Sequence, residues 1–171
     1  MSDPAEGMQR LWAPDRLAYV QGENRPDSDE SDVCPFCRAP DEPEATSLVV
    51  ARGQEVYVVL NLYPYNPGHA MVCTYRHVAE YVELTSAETH ELADLTQQTI
   101  VALKQAFAPH GFNVGMNQGT IGGAGIAAHL HQHVVPRWGG DTNFMPVVAN
   151  TKVIPQSLPD TRDALREAWP N

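Results

Sequence analysis

The stretch His129-Leu-His-Gln-His133 places three imidazoles at every second position and runs on into the apolar pair Val134-Val135. Successive side chains of a β-strand point to opposite faces of a sheet, so a strand here would put all three imidazoles on one face. A purification tag or a chance surface cluster explains the pattern less well, because the stretch is internal and its alternation continues into apolar residues. We therefore predict a half-buried strand that presents a row of histidines.

Such a row allows a division of chemical labour at a phosphate. Histidine titrates near pH 6.5, and a neutral ring nitrogen can form a covalent adduct with phosphorus. One imidazole can attack, a second can donate a hydrogen bond to the leaving oxygen, and a third can orient the strand or bind a metal. The glycine-rich residues 118–125 precede the row and offer backbone amides for phosphate oxygens.

The composition predicts one domain of an acidic protein. The chain has 171 residues, and 11 basic against 21 acidic residues give a net charge of −10. A nucleic-acid duplex or an anionic membrane attracts basic faces, so we expect neither as a partner. No apolar run approaches the roughly 20 residues of a bilayer span, and residues 1–10 lack the apolar segment of a signal peptide. We therefore expect a cytoplasmic protein.

The order of the predicted elements favours an α+β fold. Residues 47–51 and 55–62 form a predicted β-hairpin, and further strands are expected at 69–75, 112–117 and 130–135, with a possible sixth at 145–149. A capping box at Thr85 and Glu88 begins a long helix that Pro109 ends, and residues 160–169 form a terminal helix. This predicts an antiparallel sheet of five to six strands with one long helix and a C-terminal helix. Residues 1–32, with an acidic linker at 22–32, precede the domain at 33–171.

The three cysteines indicate a metal or core role rather than a disulfide framework, because their number is odd and no signal peptide is apparent. Cys34 and Cys37 have the spacing of a zinc knuckle, which needs two further ligands. A redox pair or two core thiols remain alternatives. Cys73 is interpreted as a core thiol within a strand, and His69 as a buried hydrogen-bonding residue.

Four motifs together resemble the histidine triad family. They are the triad itself with its Pro136-Arg-Trp138 continuation, Pro67-Gly-His-Ala-Met-Val72, Gly111-Phe-Asn-Val-Gly-Met-Asn117, and an N-terminal part with Leu11-Trp-Ala-Pro and Cys34-Pro-Phe-Cys37. The resemblance covers residues 11 to 141. The strings Gly139-Gly-Asp141 and Lys152-Val-Ile-Pro-Gln156 resemble the actinobacterial branch of dinucleoside tetraphosphate phosphorylases.

The resemblance implies a homodimeric enzyme that hydrolyses or transfers nucleotidyl groups at the α-phosphate. His131 would be the nucleophile, His133 would contact the phosphate and the leaving oxygen, and His129 would complete the catalytic row. Asn61 matches the position that binds ribose, and Asn117 matches the position that contacts phosphate. The other expected substrate contacts are Gln118, Gly123, Gly125 and Trp138. Trp138 is equally compatible with stacking on an adenine and with packing in a dimer contact.

The resemblance also implies a structural zinc ion. Several bacterial members bind Zn²⁺ through a cysteine pair, a histidine after the Pro-Gly-His strand and the first histidine of the triad. Here these ligands correspond to Cys34, Cys37, His77 and His129.

The resemblance implies cleavage of a dinucleoside polyphosphate such as Ap4A, or of a related nucleotide anhydride or phosphoramidate. Either water or inorganic phosphate could resolve the adduct. Many members carry Ser or Thr three or four residues before the triad, where this chain has Gly125 and Ile126; Thr120 could supply the hydroxyl. This departure keeps two alternatives open, a nucleotide-binding sensor with little turnover and a zinc-stabilised interaction module.

Overall fold

A computed structural model describes residues 34–141 and 155–170. The predicted N-terminal arm and linker, the possible strand at 145–149 and most of the string at 152–156 lie outside the described residues. The strands are β1 (Val49–Arg52), β2 (Val56–Leu60), β3 (Ala70–Thr74), β4 (Gly111–Met116) and β5 (His131–Arg137). The helices are α1 (Pro35–Arg38), α2 (Ser86–Phe107) and α3 (Leu158–Glu167). No helix within these residues is long and apolar enough to cross a membrane.

The five strands form one antiparallel sheet in the order β1-β2-β3-β5-β4. The predicted α+β class, the hairpin and both predicted helices are therefore confirmed. Helix α2 begins where the capping box predicts, since the Thr85 hydroxyl accepts from the Glu88 N–H and the Glu88 carboxylate accepts from the Thr85 N–H. The helix ends at Ala108, whose φ of 46° is left-handed.

Strand pairing decides which face of the sheet carries the histidines. Residues directly opposite each other in an antiparallel pair share a face. His131 pairs with Cys73 and His133 pairs with Met71, whereas Gln132 pairs with Val72. The face with Val72 packs under α2, in a core that also includes Val58, Leu60, Leu92, Leu103 and Val134. The histidines consequently lie on the opposite face, beside α1.

The turn between β1 and β2 is held by one carboxylate of α2. Glu91 accepts backbone hydrogen bonds from Gln54, Glu55 and Val56 at 2.8, 2.5 and 2.9 Å. Burial raises the pKa of Glu91, but these three N–H groups outweigh it and the pKa is lowered. A Cβ at Gly53 would lie 2.6 Å from the carboxylate, so a larger residue here would displace the Glu91 side chain.

Helix α3 covers the outer edge of β1. The Arg162 guanidinium donates to the Ser47 carbonyl at 2.8 Å, and Arg166 donates to the Val49 carbonyl at 3.1 Å. Arg166 also pairs with Glu44. These contacts satisfy carbonyl groups that an edge strand otherwise leaves to solvent or to another chain.

Replacing Glu91 with Ala should lower the free energy of unfolding by about 2 kcal/mol, because three backbone donors lose a charged acceptor. Urea unfolding followed by circular dichroism measures the change. Asp94→Ala is the matched control, since Asp94 is an exposed acid on the same helix. Equal unfolding free energies for the two variants would show that the Glu91 contacts contribute nothing to stability.

Candidate functional site

His131 lies at the start of β5 and is oriented for attack through one ring nitrogen. Its side chain is buried, and its Nδ1 lies 2.8 Å from the backbone oxygen of His129. A carbonyl oxygen only accepts, so Nδ1 carries the proton and Nε2 keeps its lone pair. The Phe36 ring packs against the imidazole with centroids 4.7 Å apart. Burial lowers the pKa of His131, which keeps the ring neutral and therefore nucleophilic.

A chain of hydrogen bonds assigns the opposite tautomer to His133. The Tyr65 backbone N–H donates to His69 Nδ1 at 3.1 Å, so His69 must carry its proton on Nε2. His69 Nε2 lies 2.9 Å from His133 Nδ1, which therefore accepts. The remaining nitrogen, His133 Nε2, carries a proton that it can donate. Burial and the neighbouring His131 lower the pKa of His133 to about 4, so this donor is a neutral imidazole at pH 7.

The imidazoles of His131 and His133 are neighbours, and they can take different chemical roles. The centroids of His131 and His133 are 5.0 Å apart, and their planes are nearly perpendicular, at 80°. One ring offers a lone pair and the other an N–H. This combination suits attack on a phosphorus atom with stabilisation of the oxygen that leaves.

Cys34, Cys37, His77 and His129 converge on one point, as predicted. Their ligand atoms all lie within 4.8 Å of one another. The Sγ–Nδ1 distances of the close pairs are 3.2 to 3.5 Å. A tetrahedral zinc ion would place sulfur and nitrogen ligands about 3.5 Å apart, given its usual bond lengths. The donor set and its spacing therefore fit a tetrahedral metal ion.

Each ligand is oriented by the surrounding backbone. In α1 the Cys37 N–H donates to the Cys34 carbonyl at 3.1 Å, a turn that brings both thiols to one side. His129 Nε2 lies 2.8 Å from the Thr74 carbonyl, so the proton is on Nε2 and the Nδ1 lone pair points to the thiols. Burial lowers the pKa of His129 to about 4, which favours the neutral form that a metal requires.

The loop that carries His77 is tied to helix α2. Arg76 donates to the Glu88 carboxylate at 2.7 and 2.9 Å. The hydrogen bonds from Arg76 lower the pKa of Glu88 to about 2, so this buried acid stays ionised. His77 Nδ1 then lies 3.2 Å from Cys37 Sγ, and among the described residues His77 Nε2 has no hydrogen-bond partner.

Among the predicted substrate contacts, Asn61 lies next to the triad's hydrogen-bonding partner His69. Asn61 Nδ2 lies 3.4 Å from His69 Nδ1, which places the predicted ribose ligand beside the His69–His133 pair. Asn117 donates to the Gly123 carbonyl at 3.4 Å, and Gln118 accepts from the Tyr81 N–H at 2.8 Å. These contacts hold the glycine-rich loop at its start. Gly123 has a φ of +88°, which disfavours any other residue there, and Gly125 is partly buried.

Trp138 is not brought to the triad within one chain. It follows the far end of β5, seven residues beyond His131, and a strand of that length spans about 23 Å. Its indole N–H donates to the Phe107 carbonyl at the end of α2, at 3.4 Å. The predicted contact of Trp138 with substrate therefore stays a prediction, with the indole at the end of β5 away from His131.

Sequence analysis missed the role of Tyr65. Its ring lies over His69, with centroids 4.7 Å apart, and its N–H determines the tautomer of both His69 and His133. The only sequence signal was its place between Asn61 and the Pro-Gly-His motif. His69 itself is buried and hydrogen-bonded, as predicted.

Known proteins resemble this chain in sequence. Residues 42–140 match the family model of the HIT domain. The chain is 51% identical over 165 residues to the AP-4-A phosphorylase of Mycobacterium tuberculosis (strain H37Rv), covering 95% of this chain and 85% of that protein. It is 32% identical over 85 residues to the Arabidopsis thaliana bifunctional bis(5'-adenosyl)-triphosphatase/adenylylsulfatase FHIT, covering 50% of this chain and 47% of that protein.

Solved structures share the fold. A Zn-bound histidine triad family protein from Mycobacterium smegmatis superposes with a TM-score of 0.64 at 21% identity, over 81% of this chain and 94% of that one. A HIT family protein from Bacillus subtilis superposes with a TM-score of 0.56 at 28% identity, over 63% of this chain and 74% of that one.

Proposed function

The chain belongs to the HIT family, and from this membership and the site geometry we propose that it cleaves dinucleoside polyphosphates such as Ap4A. Related nucleotide anhydrides and phosphoramidates are included in the proposed substrate class. The observation that carries the proposal is the adjacent pair of imidazoles, the buried His131 with a lone pair on Nε2 and the partly buried His133 with a proton on Nε2. The names of the two relatives, a phosphorylase of AP-4-A and a bis(5'-adenosyl)-triphosphatase, support the substrate class.

In the proposed reaction His131 Nε2 attacks the α-phosphorus and forms an N–P bond. The bond from that phosphorus to the bridging oxygen breaks, and the remaining polyphosphate leaves as an anion. His133 Nε2–H donates a hydrogen bond to the leaving oxygen and so stabilises its developing charge. An acceptor oxygen then attacks phosphorus, the N–P bond breaks, and His131 recovers its lone pair.

The proposed substrate contacts are those that the resemblance to the family implies. Asn61 binds the ribose of the transferred nucleotide, and Asn117 and Gln118 contact the phosphates together with the backbone of the glycine-rich loop at Gly123 and Gly125. Trp138 is proposed to act at a dimer contact, because it lies far along β5 from its own His131. No role is proposed for a nucleic-acid duplex or a membrane surface, since the net charge is −10.

We propose inorganic phosphate as the acceptor, because the 51%-identical relative bears the name of a phosphorylase. Phosphate would resolve the adenylylated His131 to ADP and leave ATP from Ap4A. Water would give AMP and ATP instead. The two acceptors are therefore distinguished by the products.

Incubating the protein with Ap4A should yield ADP and ATP when phosphate is present and little product when it is absent. His131→Ala should lower kcat by at least about 10³-fold, since removal of a nucleophile has effects of this order or larger. His90→Ala, at an exposed histidine of α2, is the control. AMP and ATP in place of ADP would identify a hydrolase, and no turnover of any nucleotide anhydride or phosphoramidate would contradict the proposed function.

We propose that Zn²⁺ binds Cys34, Cys37, His77 and His129. When bound, the ion would join α1, the loop after β3 and the segment that leads into β5 by coordination bonds, which is a structural role. Cys34, Cys37 and Cys73 carry no disulfide. Free thiols of this kind are typical of a reducing compartment, which supports the proposed location in the cytoplasm.

Elemental analysis of the native protein should find one zinc per chain, and its removal with a chelator should lower Tm before nucleotide affinity changes. Cys37→Ser should lose the ion, whereas Cys73→Ala should retain it because Cys73 is not among the four ligands. Native protein without zinc would refute this assignment.

We propose that two copies pair through the edge of β4. The two edges of the sheet differ, since arginines of α3 occupy the carbonyls of β1, whereas residues 113–115 of β4 are exposed and Val114 is 47% exposed. A bare edge strand favours pairing with a second chain, and a two-fold axis would bring β4 against its own copy.

Light scattering should therefore give twice the chain mass of 18.8 kDa, and Val114→Glu should shift the protein toward the monomer because it sets like charges against each other across the axis. Val82→Glu introduces the same charge at an exposed valine outside β4 and should leave the dimer intact. A wild-type monomer, or equal effects of the two variants, would exclude this interface.

A further inference from the structure

The Gly139-Gly-Asp141 string follows β5 and ends in a carboxylate that the proposed chemistry does not use. Arg137 donates to Asp141 through Nε at 2.6 Å and through Nη2 at 3.0 Å. The Trp138 N–H donates to Asp141 Oδ2 at 3.3 Å, and Asn66 Nδ2 donates to the same oxygen at 2.8 Å. The hydrogen bond and charge of Arg137 hold the pKa of Asp141 below its usual range, so the acceptor stays ionised.

Asn66 connects this carboxylate to the loop between β2 and β3. Its side chain is buried, and its Nδ2 also donates to the Pro136 carbonyl at 2.8 Å. The Asn66 backbone oxygen accepts from the His69 N–H at 3.1 Å, which closes the turn before β3. Gly68 has a φ of +76° in this turn, and a Cβ there would lie 2.8 Å from Leu103 Cδ2. The turn is therefore held between Asp141 on one side and the helix α2 on the other.

His69 leaves this turn and meets the triad. Its Nε2–H donates to His133 Nδ1, and this contact, together with the Tyr65 N–H on His69 Nδ1, assigns the proton of His133 to Nε2. A shift of the turn would move His69 and release His133 to the other tautomer, which presents a lone pair where the proposed reaction needs a donor.

We propose that Asp141 is a positioning residue that acts through Asn66 and His69 to keep His133 in its Nε2–H tautomer. The kinetic consequence rests on the proposed function; the tautomer itself does not. Arg137 orients the carboxylate and is in turn held by Asn113, whose Oδ1 accepts from its Nη1 at 2.7 Å. Asp141 thus influences His133 through Asn66 and His69, without touching substrate.

The test combines imidazole ¹⁵N NMR of the ligand-free protein with kinetics on Ap4A. Wild-type His133 should show the Nε2–H tautomer, and Asp141→Ala should show a mixture of both tautomers. In Asp141→Ala kcat should fall by about tenfold while KM changes less than about twofold, because small misplacements of a reacting group reduce the rate more than binding. Asp141→Asn keeps the shape and one acceptor, so its effects should be smaller than those of Asp141→Ala.

The matched control is Asp163→Ala, which removes the acid of another Asp–Arg pair, with Arg162 at 2.7 Å in α3. It should leave both the tautomer and kcat at their wild-type values. Unchanged tautomers in the Asp141 variants would overturn the proposal, as would a mixed tautomer with wild-type kcat. If Asp141→Ala does not fold, Asp141→Asn decides by the same criteria. If the wild type does not cleave Ap4A, the proposed function fails while the NMR comparison still decides whether Asp141 positions His133.

Discussion

The hydrogen bond from His131 Nδ1 to the backbone oxygen of His129 is the contact on which the site depends. It assigns the tautomer of His131, and it joins this ring to the residue whose own Nδ1 faces the two thiols. The bond is local, because His129 lies two residues before His131, where β5 begins. A metal bound at His129 would thus steady the backbone that orients the neighbouring nucleophile, without contacting the substrate. Phe36, between the two cysteines, adds a packing contact to the same ring.

On the side of His131 away from the cysteines, His133 is held in place by hydrogen bonds rather than by a cluster of metal ligands. His133 is held by His69, and His69 is held by the Tyr65 N–H and by the turn at Asn66. Burial keeps the imidazoles of His131 and His133 neutral, so their roles follow from which nitrogen carries the proton. An acidic chain can in this way offer a phosphate a nucleophile and a donor through neutral groups, with backbone amides of the glycine-rich loop nearby.

The two faces of the sheet separate the apolar core from the functional site. Helix α2 packs on one face with an apolar core, and its carboxylates Glu88 and Glu91 contact two neighbouring loops at one end of the sheet. The opposite face carries the triad and the cysteine pair. At the edges of the sheet, α3 covers β1 while β4 stays exposed. The proposed dimer would therefore form through β4.

Much of this could be predicted from local patterns. The alternating histidines, the capping box at Thr85 and Glu88, and the hairpin order depend on residues close together in the chain, so periodicity and capping rules determine them. The convergence of Cys34, Cys37, His77 and His129 was predicted only because the motifs resemble a known family. Local rules could not predict the tautomers or the hydrogen bonds that hold Asn66. His69 and His133 are 64 residues apart in sequence, and Asn66 and Asp141 are 75 apart. Such pairs meet only because β5 inserts between β3 and β4, and that strand order is decided by the packing of the whole sheet.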